Sequence, residues 1–237
     1  QDLQPMQKVN ADQARKRSYQ AVVHFLPKER RLVPLASLDM PGLTLSEDSK
    51  VALGSNPLPY RMLVSWDQGY SDQYLVNVAD GSRKKILEKF PGGVVISAGG
   101  QYLLYYDEAG RNWFSHRIAD GKTFNLTDKL GVNFFNESSD TPGDPGSYGN
   151  AGWVEGDKAV LIYDKYDIWE VKPDGTSARN ATGGFGRKNG LVFRYARLDP
   201  EERTIPTDKP LLLSAVNDVT KATGYYRVTP SAAAPAP

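Results

Sequence analysis

The residues best suited to covalent chemistry are Ser147, in the string PGSYGN, and the two histidines, His24 and His116. A serine activated by a histidine and oriented by a carboxylate would attack an acyl group. The α/β-hydrolase nucleophile lies in G-x-S-x-G, and no such string occurs in this sequence. Neither histidine follows a candidate Ser and Asp in the order which that fold uses. We therefore predict no catalytic residue here and assign both histidines structural roles.

Oxygen ligands for a hard cation occur at Glu137, Asp140 and Asp144. Their spacing matches no calcium loop, and the string that holds them contains two prolines. The chain has no cysteine, which excludes disulfides and thiolate metal sites. The Gly-rich string 183–190 lacks the strand–loop–helix context of a phosphate cradle and is interpreted as a connection. We therefore predict no metal and no cofactor.

Composition limits the classes of partner. The chain has 237 residues and a formal net charge of +1, so no strong field would attract nucleic acid or an anionic membrane. No apolar run approaches the ~20 residues of a membrane-spanning helix. We expect neither a nucleic-acid partner nor a transmembrane segment.

Three Asp-Gly pairs, at 80–81, 120–121 and 174–175, mark repeated hairpins. Each pair lies between two strand-like runs and is preceded by two more. The predicted strands are 50–54, 61–66, 74–78 and 83–87, then 93–98, 102–107, 113–118 and 122–127, and finally 151–156, 159–164, 167–171 and 176–182. Four short strands per repeat of roughly 40 to 55 residues indicate blades of a β-propeller, which stack because one blade cannot cover both its faces.

The predicted fold class is therefore all-β: a β-propeller of about four to five four-stranded blades, in a closed or a partial ring. A further unit begins at Gly190 and lacks the Asp-Gly pair. We assign residues 1–41 to an N-terminal extension and an incomplete first blade, and residues 42–228 to the blades. Residues 229–237 form an Ala/Pro tail that we expect to be disordered.

Aromatic side chains on loops are the best candidates for contact with a partner. Tyr70 lies in DQGYSDQ, and Phe134, Phe135 and Tyr148 lie in the long interruption 130–150. Long loops inside compact domains are usually functional or mobile. We predict that these four residues form an interface, whereas Trp66, Trp113, Trp153 and Trp169 are assigned to the core.

Three blocks of the sequence resemble the N-terminal β-propeller of bacterial serine peptidases of the prolyl oligopeptidase and dipeptidyl-peptidase type. They are SWDQGYSDQYLVNVADG, GSYGNAGWVEGDKAVLIYDKYDIWEVKPDG and FRYARLDPEERTIPTDKPLLLSAVNDVTKATGYY. The resemblance covers about residues 42–228 and is most specific around YDKYDIWEVKPDG. It implies a propeller that caps an active site, restricts which peptides enter and is followed by an α/β-hydrolase domain. Because this chain lacks the nucleophile motif, the resemblance implies the scaffold and not the activity.

Three functions follow as hypotheses. The chain is a non-catalytic peptidase-type propeller that binds or gates peptide or protein partners, with an α/β-hydrolase domain missing from it. Alternatively, it is a free-standing exported scaffold subunit of a larger envelope or membrane-associated assembly. An independent hydrolase with an unusual site is the third, so the sequence leaves open whether an enzyme is involved. The family and the absence of cysteine favour a periplasmic or extracellular location, with a signal peptide removed ahead of Gln1.

Overall fold

The computed structural model describes residues 4–25, 30–229 and 235–236. The chain divides into two compact units, Gln1–Ile96 and Ser97–Pro237. Most of the predicted tail, at 230–234 and 237, lies outside the described residues. Within that tail, Ala236 forms an isolated β-bridge with Arg227.

Short strands make up most of the regular structure. In the first unit they are β1 (Ala21–Phe25), β2 (Arg30–Pro34), β3 (Leu43–Leu45), β4 (Val51–Asn56), β5 (Ser71–Asn77), β6 (Arg83–Phe90) and β7 (Val94–Ile96). In the second unit they are β8 (Tyr102–Asp107), β9 (Asn112–Arg117), β10 (Thr123–Asn125), β11 (Asn150–Trp153), β12 (Val160–Tyr163), β13 (Ile168–Val171), β14 (Ala178–Asn180), β15 (Leu191–Tyr195), β16 (Leu211–Asn217) and β17 (Thr223–Val228). The helical segments are α1 (Gln4–Arg15), α2 (Phe185–Asn189) and three 3₁₀ turns, Leu58–Tyr60, Leu63–Ser65 and Glu155–Asp157.

The first unit contains a two-stranded sheet, β1–β2, and a four-stranded sheet in the order β3–β4–β5–β6, both antiparallel. Its core is formed by residues of both sheets and of the segment between them, namely Val33, Leu35, Met40, Ala52, Val76 and Val78. The buried side chains of β4 and β5 show that the middle strands of the larger sheet are the most enclosed, as expected for a blade.

The second unit contains antiparallel sheets in the orders β10–β9–β8, β11–β12–β13–β14 and β15–β16–β17. All four residues of β12 are buried, and alternate residues go to two core clusters. Leu161 and Tyr163 pack with Phe193 and Leu213, whereas Val160 and Ile162 pack with Leu104 and Trp113. β12 therefore has an apolar layer on each face, which is the physical reason that blades must stack.

The repeat seen in the sequence recurs in the backbone. The hairpin glycines Gly81, Gly121 and Gly175 have φ of 73°, 73° and 69°. The fourth hairpin, β16–β17, has the same kind of turn with Lys221 at φ 61° in place of glycine. The predicted fold class is confirmed: among the described residues the chain is nearly all-β, with five antiparallel sheets of two to four strands.

One predicted strand is wrong. Residues 61–66 are not a strand, because Leu63–Ser65 form the second of two 3₁₀ turns between β4 and β5. The run 50–54 is the second strand of its sheet, and β3, which was not predicted, is the first. The assignment of Trp66 to the core is also wrong, since its side chain is 69% exposed. Two other tryptophans, Trp113 and Trp153, are buried as predicted.

Candidate functional site

The long interruption between β10 and β11 is closed at its base by an isolated β-bridge between Phe135 and Ser147. Asn136 N–H donates to Gly146 C=O at 2.7 Å, and Tyr148 N–H donates to Phe134 C=O at 3.0 Å. Residues 136–144 beyond the bridge are all exposed. We call residues 133–135 and 147–149 the loop base. The bridge gives this loop a fixed stem, so its aromatic residues occupy set positions.

Phe134 lies inside the second unit. Its side chain is 2% exposed and packs edge to face on Trp169, with ring centroids 6.0 Å apart. Phe134 therefore lacks the exposed side chain that the predicted interface requires. The reason is that its ring fills the core beneath the bridge, beside Leu126 and Trp153.

Phe135, the next residue, is only partly buried. The Arg111 guanidinium lies over its ring, 5.0 Å from the centroid. Phe135 and Arg111 border a surface cavity of about 340 Å³, which Asn112, Asp128 and Asn133 also line. The cavity therefore combines an aromatic wall, a cation and several amide or carboxylate groups, which can contact both the apolar and the polar parts of a ligand.

Tyr148 is half-buried on the other strand of the loop base. Its hydroxyl accepts a hydrogen bond from Glu137 N–H at 2.9 Å, which ties the start of the exposed tip to the stem. Burial raises the pKa of Tyr148, and the nearby Glu137 carboxylate adds to the increase. The phenol is therefore neutral at physiological pH and serves as a hydrogen-bonding ring rather than as a base.

The Arg194 guanidinium lies close to two tyrosine rings, 4.5 Å from the centroid of Tyr163 and 5.9 Å from that of Tyr148. We call Tyr148, Tyr163 and Arg194 the arginine–tyrosine cage. The Tyr163 hydroxyl accepts a hydrogen bond from Tyr195 N–H at 3.1 Å, which joins β12 to β15 at this point. Burial lowers the pKa of Arg194, although the side chain stays charged.

Two of the other cations near the arginine–tyrosine cage have carboxylate partners, whereas Arg197, which also acts on Tyr163, is exposed. Lys165 pairs with Asp218 at 3.0 Å, and Arg187 pairs with Asp164 at 3.6 Å. Asp164 is 1% exposed and also accepts hydrogen bonds from Tyr166 N–H, Asp167 N–H and Trp169 Nε1–H. The carboxylate oxygens of Asp164 therefore already have hydrogen-bond donors from the residues that follow it in the chain.

The acidic residues of the loop do not come together as a metal site. Glu137 Oε1 accepts a hydrogen bond from Asn133 Nδ2 at 2.9 Å, and Asp140 and Asp144 are exposed on the tip. Across the described part of the chain, no group of three or more His, Asp or Glu residues is placed to hold a metal ion.

The residues considered for catalysis have structural positions. Ser147 Oγ accepts a hydrogen bond from Gly149 N–H at 3.2 Å at the loop base. His116 is a buried residue of β9, with Nδ1 3.0 Å from Thr123 Oγ1 on the paired strand β10. His24 lies in β1 of the first unit.

Tyr70 belongs to the first unit and precedes β5. Its hydroxyl donates to Asp67 Oδ2 at 3.1 Å, and its ring meets that of Tyr60 at 67° with centroids 6.2 Å apart. The Lys89 ammonium lies 4.8 Å from the centroid of the same ring. The segment before Tyr70 exposes three apolar side chains: Met62 at 50%, Val64 at 54% and Trp66 at 69%.

Sequence reasoning did not identify Arg111 and Arg194. Arg111 lies in the turn between β8 and β9, and Arg194 lies on β15, in the unit that lacks the Asp-Gly pair. The available signal was an arginine on a strand that follows an aromatic-rich repeat. Such a pattern does not show which aromatic ring the guanidinium contacts.

No protein-family model matches the chain, and no curated protein sequence matches it. Among solved structures, a TolB from Agrobacterium tumefaciens is similar over 92% of this chain and 79% of its own, at 13% identity and a TM-score of 0.42. A dipeptidyl peptidase 4 from Porphyromonas gingivalis is similar over 93% of this chain and 39% of its own, at 11% identity and a TM-score of 0.46. A puromycin hydrolase is similar over 81% of this chain and 30% of its own, at 12% identity and a TM-score of 0.42.

These likenesses concern the fold alone. The chain spans less than half of the dipeptidyl peptidase and of the puromycin hydrolase. Within the residues that the structure describes, every helix is too short or too polar to cross a membrane.

Proposed function

We propose that this chain is a non-catalytic, peptidase-type β-propeller that binds peptide segments of its partners at the loop base of the second unit. The blades, residues 42–228, are the scaffold in this proposal. Residues 1–41 and 229–237 flank it, and an α/β-hydrolase domain is the partner that would use the bound peptide. The role of the chain is then to admit, hold and orient a peptide.

The observation that carries the proposal is the fixed loop base with its accessible aromatic residues. Phe135 borders the cavity of about 340 Å³, and Tyr148 belongs to the arginine–tyrosine cage. Partly exposed aromatic rings that are held by backbone hydrogen bonds lose little conformational freedom on binding, so they make efficient contact residues. The paired backbone of the stem supplies that order before any ligand arrives.

The test is direct binding of a neutral peptide, acetyl-Ala-Phe-Ala-amide, measured by calorimetry or by NMR titration. Phe135→Ala and Tyr148→Ala each remove one ring, and each is expected to weaken binding by roughly fivefold or more. Tyr225→Ala is the matched control, because Tyr225 is a tyrosine of the same unit with 66% of its side chain exposed on β17. Equal affinity for all four proteins would contradict the proposal.

A second function, that of an exported scaffold subunit, is favoured by a different surface. Met62, Val64 and Trp66 are all at least half exposed within one short segment of the first unit. Clustered apolar side chains in contact with water mark protein interaction sites more often than isolated ones do. In this alternative the chain docks onto an envelope assembly through these residues.

Size-exclusion chromatography of material from the native source distinguishes the two functions. A scaffold subunit would elute in a complex, and the double substitution Met62→Ser with Trp66→Ser would release it. Elution of the native protein as a free chain would contradict the scaffold function. For both functions we expect export to the periplasm or the exterior, which cell fractionation with an antibody to the chain would detect.

A further inference from the structure

We propose that the arginine–tyrosine cage is a receptor for a carboxylate group of the bound peptide, with Arg194 as the anion-binding residue. The group is either the C-terminal carboxylate or the side chain of an Asp or Glu residue. The inference rests on the proposed function, because it assigns a ligand chemistry to one side of the same loop base.

The first argument is the count of donors on Arg194. A guanidinium has five N–H donors in a planar fork. One of them, on Nη1, donates to Phe193 C=O at 2.6 Å. Among the described residues, no carboxylate oxygen lies within the 4.0 Å ion-pair distance of this guanidinium. Arg194 therefore keeps donors for a ligand.

The second argument is the free-energy cost of holding the charged Arg194 side chain in a half-buried position. Arg194 is only partly exposed, and two tyrosine rings replace much of the water around it. Loss of hydration disfavours a charge that has no directly paired counter-ion. Burial is the largest cause of the lowered pKa of Arg194, and the nearby Asp164 carboxylate offsets only part of it. A bound anion would offset this cost, whereas a neutral group would not.

The third argument is that Arg194 is a half-buried cation of the cage without a carboxylate partner among the described residues, whereas Arg197, which also acts on Tyr163, is exposed to water. Arg187 is paired with the buried Asp164, and Lys165 is paired with Asp218. Asp164 is held by its own backbone and by Trp169, so it cannot turn to Arg194 without losing those bonds.

The shape of the site favours a carboxylate. Tyr163 packs close to the guanidinium, and the flat fork of an arginine matches a flat carboxylate with two parallel hydrogen bonds. Tyr148 belongs both to the loop base and to the cage, so a peptide that contacts the Tyr148 ring would lie beside Arg194.

The experiment compares four probes by NMR titration of the intact chain: acetyl-Ala-Ala-Ala with a free carboxylate, the same peptide with a C-terminal amide, acetyl-Ala-Glu-Ala-amide and inorganic phosphate. We expect the carboxylate peptides to bind at least tenfold more tightly than the neutral amide, and this preference to weaken as salt is added. The two carboxylate peptides distinguish a terminal group from an acidic side chain.

Arg194→Gln should abolish the preference for carboxylate, and Arg194→Lys should retain part of it, because lysine keeps the charge but not the fork. Arg227→Gln is the matched control: it removes the same charge from an exposed position on β17. Circular dichroism and the melting temperature establish that the variants fold.

The outcomes separate the inference from the proposed function. If the amide and carboxylate peptides bind equally, or if the preference survives in Arg194→Gln, the inference is wrong while peptide binding stands. Phosphate binding without carboxylate binding also contradicts the inference. If no peptide binds at all, both the inference and the proposed function fail.

Discussion

Phe134 packs edge to face against Trp169 of β13, with ring centroids 6.0 Å apart, directly beneath the bridge that closes the longest loop. We expect Phe134→Ala to lower the free energy of unfolding by about 3–5 kcal/mol, because it leaves a cavity in a packed core. Urea denaturation followed by tryptophan fluorescence measures the loss.

Phe135→Ala is the comparison for this prediction. Phe135 is partly exposed, so its truncation should cost only about 1 kcal/mol of stability. If both substitutions destabilised the protein equally, the assignment of Phe134 to the core and of Phe135 to the surface would be wrong.

Sequence alone could not separate these two phenylalanines. They are adjacent in a loop, where no period of two or of 3.6 residues tells which side chain faces inward. The sequence did identify the segment, because its Gly, Pro and Asp content interrupts the repeat. The bridge between Phe135 and Ser147 depends on contacts across the loop that local composition does not encode.

Trp66→Ala should leave the stability of the protein within about 0.5 kcal/mol of wild type, because the indole is 69% exposed. Trp153→Ala is the matched variant in the other unit. Trp153 is 3% exposed and stacks on Tyr102 at 18°, so its truncation should cost about 3–5 kcal/mol. A large loss for Trp66→Ala would restore the prediction that it belongs to the core.

The error at Trp66 has a physical cause. The run RMLVSW alternates little and is mostly apolar, so it satisfies the pattern of a buried strand. Pro57 and Pro59 precede it and start the 3₁₀ turn Leu58–Tyr60, and the preceding run already supplies the middle strand β4. The sequence therefore predicts the repeat correctly, but it places the run 50–54 first in its sheet, whereas that run is the second strand.

Asp72 provides a pH-dependent prediction for the first unit. Its carboxylate is 3% exposed and accepts hydrogen bonds from Tyr60 Oη at 2.7 Å and Lys89 N at 3.0 Å, and it lies 2.7 Å from Lys85 Nζ. Burial alone would raise the pKa of Asp72, but these three donors together lower it below the usual 3.8. The ionised form is therefore the one that stabilises the fold.

Because the pKa is lower in the folded state, this stabilisation is fully present above the unfolded pKa and is lost as the pH falls through the folded one. We expect Asp72→Asn to cost on the order of 1–3 kcal/mol at pH 7 and 5, and progressively less below about pH 4. Urea denaturation from pH 7 to 3 measures the difference. Asp12→Asn, at a side chain 87% exposed on α1, should show no such trend, and a constant deficit for Asp72→Asn at all pH values would contradict the argument.

The repeated Asp-Gly pairs gave the fold its clearest sequence signal, and the structure adds a second reason for the glycine. A Cβ on Gly81 would lie 2.8 Å from Pro34 C=O in β2, and one on Gly175 would lie 2.9 Å from Asn125 C=O in β10. In both places the turn of one sheet meets the last strand of the sheet before it. Glycine is therefore needed for the positive φ and also for the close approach.

Gly175→Ala should consequently destabilise the protein by more than the roughly 1–2 kcal/mol of a left-handed alanine, because the neighbouring backbone must also move. Gly224→Ala is the control, since that glycine lies in β17 where an added Cβ would have no atom within 4 Å, and alanine suits a strand at least as well as glycine. Thermal unfolding should place Gly175→Ala several degrees below wild type, at roughly 2–4 °C for each kcal/mol, and Gly224→Ala at or slightly above it. A loss of only the roughly 1–2 kcal/mol of a left-handed alanine would mean that the turn does not press against β10, and that the recurrence of Asp-Gly reflects turn geometry alone.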